Sequence, residues 1–170
     1  MAGWPLPAAD GAIPATHHRD EVLPTGYDKP VPIWLSRAHG TLLAGLVAIS
    51  GMEPVWCTSW RADASALIGH RLGLPPWPHV ELPHLPLTTS HPNGYLWKRD
   101  HLAAHAHGRP LAWIDDDFAR ADHDWATART SAGSPTLLIQ PDPYTGIRPN
   151  TPSTSSDGLS PSACHAAPDR

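Results

Sequence analysis

Leu111-Ala112-Trp113-Ile114-Asp115-Asp116-Asp117 reads as a short, wholly apolar strand running into three consecutive acids. Four apolar residues without polar alternation suit a strand covered on both faces, as in a parallel sheet. Ligands of such sheets bind beyond the carboxyl ends of the strands, so the acids fall at the ligand-binding edge. Left unpaired, adjacent carboxylates raise one another's pKa. A hard divalent cation such as Mg²⁺, which takes oxygen ligands, relieves that repulsion. The same residues also read as a solvated acidic turn, with Asp117 at the start of the next helix, where the macrodipole favours negative charge. Spacing alone does not choose between them.

Working outward, residues 97–107 have helical character and stop at Gly108 and Pro110, while residues 119–129 form a short helix before a last strand, Thr136-Leu137-Leu138-Ile139. Farther upstream, Pro32-Ile33-Trp34-Leu35 is a strand, and Ser36 is placed to cap a helix through Ile49 with Leu42, Leu43, Leu46 and Val47 on one face. Residues 53–58 form a buried strand ending at Thr58. Residues 61–72 return to helical spacing and end at Gly73 and Pro75; residues 79–82 form another short strand, and 83–94 a loop. Residues 1–31 read as irregular and proline-broken, with a short strand before Asp10-Gly11. Beyond Asn150 the chain turns to Pro, Ser, Thr and Asp, with too few apolar groups to order itself, so a disordered tail is expected over 150–170. Strands alternating with helices predict one α/β domain over residues 1–149, with a mostly parallel sheet covered on both faces.

Composition narrows the function classes. With 16 acidic residues against 12 Lys and Arg in 170, the net charge of −4 advertises no broad basic surface for nucleic acid. The 41% of hydrophobic residues suffices for a core, and 21 prolines predict long punctuated connections. No segment approaches the roughly 20 apolar residues that span a bilayer, and the first residues lack the basic-then-apolar layout of a secretory signal. Cys57 lies in an apolar run and Cys164 in the polar tail, so a reduced, cytoplasmic protein is expected rather than a disulfide between them.

Other residues join the acids as candidates. Thr58 and Ser59 follow an apolar strand, where hydroxyls and backbone N–H groups can hold a phosphate; the plainer reading is a helix cap. Lys98 follows a glycine-containing loop at the start of a helix, placed either to neutralise phosphate or carboxylate charge or simply to be solvated. His101 and His105 share a helix face, but Leu102 stands where the zinc-protease pattern has glutamate. Walker, dinucleotide and nucleophile-elbow patterns are absent from the sequence.

The order of these signals resembles motifs two to four of the haloacid dehalogenase-like (HAD) superfamily: a strand ending in Thr58, then Lys98, then a strand ending in Asp115-Asp116. More closely, Ile33-Trp34-Leu35-Ser36-Arg37-Ala38-His39-Gly40, Val55-Trp56-Cys57-Thr58-Ser59-Trp60, Leu96-Trp97-Lys98 and residues 109–117 are similar to small actinobacterial proteins carrying the HAD domain of Swiss-Army-knife RNA repair proteins. The resemblance covers roughly residues 8–148 and includes Asp142-Pro143 and Thr145-Gly146 after the last strand. It implies a Rossmann-like three-layer sandwich without a folded cap domain, the Pro75–Gly94 loop being too short for one. It further implies a Mg²⁺-dependent phosphomonoesterase, with phosphate binding by Thr58, Ser59 and Lys98, metal binding by Asp10, Asp115 and Asp116, and Asp10, Thr58 and Lys98 as catalytic groups. The family's first motif, Asp-x-Asp-Gly, is matched by Ala8-Ala9-Asp10-Gly11, which keeps the general acid-base as Asp10 but has Ala8 where the nucleophile stands. The implied partner is a phosphorylated small molecule or a nucleic-acid end, with no membrane. If the chain is catalytically dead, the resemblance implies a phosphate-ligand or RNA-end binding module.

Overall fold

A computed structural model describes residues 14–83 and 91–149. The expected strand before Asp10-Gly11, Asp10 itself, part of the Pro75–Gly94 loop and the tail beyond residue 149 lie outside the described residues.

The chain opens with an antiparallel pair, β1 (His18–Val22) and β2 (Val31–Leu35), in which Val22 faces Val31 and His18 faces Leu35. β1 corrects the expectation that residues 1–31 are irregular. His18-Arg19-Asp20-Glu21 has no apolar period, and only Val22 of this strand is buried, so pairing with β2 rather than its own pattern defines it. Helix α1 (Arg37–Ser50) follows β2 at once, and Gly51, in the left-handed region at φ 65°, closes it by donating to the Val47 carbonyl. Inside α1, Gly40 lies so close to the Leu72 carbonyl that a Cβ would stand 2.0 Å from that oxygen.

The strands expected at 53–58 and 79–82 shrink to a single parallel bridge between Trp56 and His79. Trp56 N–H donates to the Pro78 carbonyl at 2.8 Å, and Val80 N–H donates to that of Trp56 at 2.8 Å. Pro54 and Pro78 have no N–H to extend the ladder, which accounts for its brevity. Even so, the 55–57 segment alternates as a strand does. Val55 and Cys57 pack with Trp113, Leu138 and Val80, whereas Trp56 packs with Leu35, Ile68 and Leu72. The helix expected over 61–72 is a π-helical stretch, Ala64–Gly69, continuing into a single α turn, α2 (His70–Leu72). Gly69 packs on the Trp56 ring, which a Cβ there would meet at an ordinary 3.4 Å.

Helix α3 (Arg99–Ala106) leads to β3 (Leu111–Ile114); α4 (Arg120–Ser131) then crosses to β4 (Thr136–Ile139). β3 and β4 are parallel and in register from Leu111↔Thr136 to Ile114↔Ile139, and Asp115 N–H continues the ladder to the Ile139 carbonyl at 3.1 Å. The described architecture is therefore mixed α/β, with one antiparallel and one parallel pair. No helix among the described residues is long and apolar enough to cross a membrane.

Candidate functional site

The carboxyl end of β3 carries the site. Trp113 is buried, with Phe118 and Trp125 packed edge-on against it at ring-centroid distances of 5.0 and 6.4 Å. Side chains alternate across a strand, so Asp115, two residues on, projects to the same side as Trp113 and is only 3% exposed. Asp116 is half-buried, and its carbonyl accepts a hydrogen bond from Gln140 Nε2 at 3.1 Å; Asp117 is exposed. The three acids thus occupy three environments.

Lys98 is completely buried and its ammonium donates to Asp115 Oδ2 in an ion pair. That overturns the solvated reading of Lys98. A buried ammonium persists only with a close countercharge, because desolvation of either ion alone costs several kcal/mol. Asp115 Oδ1 is equally buried but has no hydrogen-bond partner. Burial raises the Asp115 pKa above the usual carboxylate range against the opposing pull of Lys98.

Asp122, which the sequence reading did not single out, fixes this arrangement. Fully buried on the first turn of α4, it accepts hydrogen bonds from Leu96 N–H at 3.0 and 3.2 Å and from Ala119 N–H at 2.9 Å. One carboxylate therefore caps α4 and clamps the Leu96-Trp97-Lys98 segment. Asp117 is not the cap, because α4 begins at Arg120. An acid three residues into a helix is the only sequence trace of this role, and it is weak because Ala119, not Ser or Thr, stands at the cap.

Thr58 is buried at the carboxyl end of the 55–57 segment, and its Oγ1 accepts from Trp60 N–H at 3.4 Å. It does not cap a helix, since the first helical residue is Ala62, four positions on. Ser59 Oγ is buried without a partner. Cys57, just before Thr58, links this end to the acids. Burial pushes its thiol up to about 12, while the charges of Lys98 and Asp115 act on it from opposite signs. Lys98 and Asp115 are thus brought together, with the 57–58 end beside them. His101 and His105 are both exposed on α3, His101 edge-on to the Trp97 ring with centroids 6.5 Å apart.

Among the described residues no three His, Cys, Asp or Glu side chains converge on a metal position. Mg²⁺ commonly takes only one or two carboxylates, completing its shell with water and substrate phosphate. Asp115 Oδ1, buried and without a hydrogen-bond partner, is a carboxylate oxygen of the kind such a shell uses.

No family model, no curated protein and no solved structure matches the chain.

Proposed function

We propose that this chain is a HAD-like, Rossmann-type cytoplasmic protein whose Lys98–Asp115 centre binds Mg²⁺ and the phosphoryl group of a phosphate-bearing ligand. The observation that carries the reading is the buried Lys98–Asp115 pair at the carboxyl end of a parallel strand, with one Asp115 oxygen left without a partner. Thr58 and Ser59 supply hydroxyls and backbone N–H groups to phosphate oxygens, and the Lys98 ammonium offsets the charge of carboxylate and phosphate together. Asp115 and Asp116, with Asp10, would hold the cation, which would supply charge neutralisation at the phosphoryl group.

In this reading the site is that of a phosphomonoesterase, with Asp10 moving protons on and off the leaving group. Ala8, standing at the nucleophile's place, has no lone pair with which to attack phosphorus. That one residue favours the second form of the proposal, in which the chain binds a phosphorylated small molecule or RNA end without turning it over.

The test is metal-dependent stability. Millimolar Mg²⁺ should raise the melting temperature, since a ligand of the native state stabilises by RT ln(1 + [L]/Kd). Asp115→Asn and Asp116→Asn should each remove or weaken that rise. A wild-type protein indifferent to Mg²⁺ and Mn²⁺ would sink the reading.

A further inference from the structure

A second polar cluster lies outside the Lys98–Asp115 pair. A cavity of about 310 Å³ is lined by Thr16, His17, Ser36, His39, Thr145 and Arg148, with Leu42 and Ile147 among its apolar walls. Its volume is at the lower end of the roughly 300–1,000 Å³ typical of small-molecule sites. Although the chain is net acidic, the described residues of its lining include no carboxylate.

The two imidazoles meet edge-on, with ring centroids 5.2 Å apart. His39 is 4% exposed, and the Nε2 of His17 is buried without a hydrogen-bond partner. Burial and then the neighbouring His17 hold the His39 pKa down, against a hydrogen bond with the Thr145 backbone; burial and then His18 lower that of His17. Each neutral ring still carries one N–H donor. Arg148 adds a permanent positive charge. Asp142, on the same turn as Thr145, accepts from the N–H groups of Tyr144 and Thr145, and the Arg148 charge acts on its carboxyl as well.

The cavity is tied to the acidic edge by the chain after β4. Gln140 holds the Asp116 carbonyl, Gly146 N–H donates to the Asp142 carbonyl at 2.8 Å, and the Gly146 backbone lies against His39. A Cβ on Gly146 would stand 2.5 Å from His39 Cε1, so glycine is what lets ring and backbone approach.

We propose that this cavity is an anion subsite that takes a phosphate group, with Leu42 and Ile147 against the organic body that carries it. It goes beyond the reading of the Lys98–Asp115 centre and does not depend on it. Guanidinium and imidazole N–H donors are the groups that bind phosphate oxygens with charge assistance, and the buried Nε2 of His17 gains a partner on binding.

Inorganic phosphate, titrated into the Mg²⁺-free full chain, is the probe. Ring ¹⁵N resonances of His17 and His39, assigned through His17→Gln and His39→Gln, should shift saturably. Arg148→Ala, at an exposed position, should weaken that binding about tenfold or more. Asp116→Asn, which bears on the metal reading, should leave the shifts intact. Acetate at equal ionic strength should move neither ring. Unmoved His17 and His39 resonances, equal shifts with acetate, or shifts unaltered in Arg148→Ala would each overturn the subsite, whatever the Mg²⁺ response of the other centre.

Discussion

Lys98→Met removes the ammonium and keeps an unbranched stem in its place. Asp115 is then a buried carboxylate without its cation, and its Oδ1 already lacks a partner. Removing one member of a buried pair costs about 3–5 kcal/mol, because the stranded charge keeps its desolvation penalty and loses the compensating attraction. The variant escapes part of that cost by protonating Asp115. Burial already raises this pKa, and Lys98 is what pulls it back. Without the lysine it rises further.

The sign of the pH dependence follows. A carboxyl whose folded pKa lies above its unfolded value, about 3.9, takes up a proton on folding. Stability is then fully present below the unfolded pKa and is lost as pH rises toward the folded one. One proton corresponds to about 1.4 kcal/mol per pH unit. Relative to wild type, Lys98→Met should lose up to about 2.7 kcal/mol more at about pH 7 than at about pH 5. With a urea m-value of about 2 kcal/mol/M, the midpoint at about pH 7 should fall by roughly 2 M. The pair Lys98→Met/Asp115→Leu should recover to within about 1 kcal/mol of wild type, because apolar replacement of both partners is often neutral or stabilising. A single variant as stable as wild type at pH 7, or one equally destabilised at both pH values, would refute the account of Lys98 as the counterion of a desolvated carboxylate.

Four further outcomes are expected. Asp122→Ala leaves the Leu96 and Ala119 N–H groups without their acceptor, so chemical denaturation should show a loss of about 2–4 kcal/mol, and the Mg²⁺-induced rise in melting temperature should shrink with it. Gly40→Ala drives a methyl into the Leu72 carbonyl, and the same measurement should show a loss of about 1–3 kcal/mol or more. Cys57, its thiol pushed to about 12, should remain unlabelled by iodoacetamide in the folded protein at pH 8 and react on unfolding, as peptide mapping would show. Wild type should not hydrolyse p-nitrophenyl phosphate, whereas Ala8→Asp should show weak Mg²⁺-dependent release of nitrophenolate; clear wild-type turnover would mean that Ala8 does not disable the site.

What the sequence made legible was the part written as contiguous pattern. The apolar run ending in acids located β3 to the residue, and the apolar run at 136–139 located β4. Both are short buried strands without competing periodicity. The misreadings have physical causes. β1 is a polar stretch made a strand by its partner, and Pro54 inside the 53–58 run and Pro78 just before 79–82 have no N–H to lengthen a ladder of one bridge. Residues 61–72 do have helical apolar spacing, but that spacing does not distinguish an α-helix from the π-helical stretch that forms over Ala64–Gly69.

The candidate site divides along the same line. Lys98 and the acids were found as types in order, because a strand end followed by carboxylates is local. Their pairing was not legible, since Lys98 looks like any lysine at a helix start until its burial is known. Asp122 was harder still, because its significance lies in accepting from Leu96, 26 positions away, as well as from its own helix start. His17, His39 and Arg148 come from three separated segments, and only the Gly146 turn folding onto His39 brings the last of them to the cavity. A sequence window registers residues whose job is set by their neighbours in the chain. The groups that position Lys98 and that line the second cavity have their jobs set by neighbours in space, which is why the variants that test them are the ones the sequence would not have suggested.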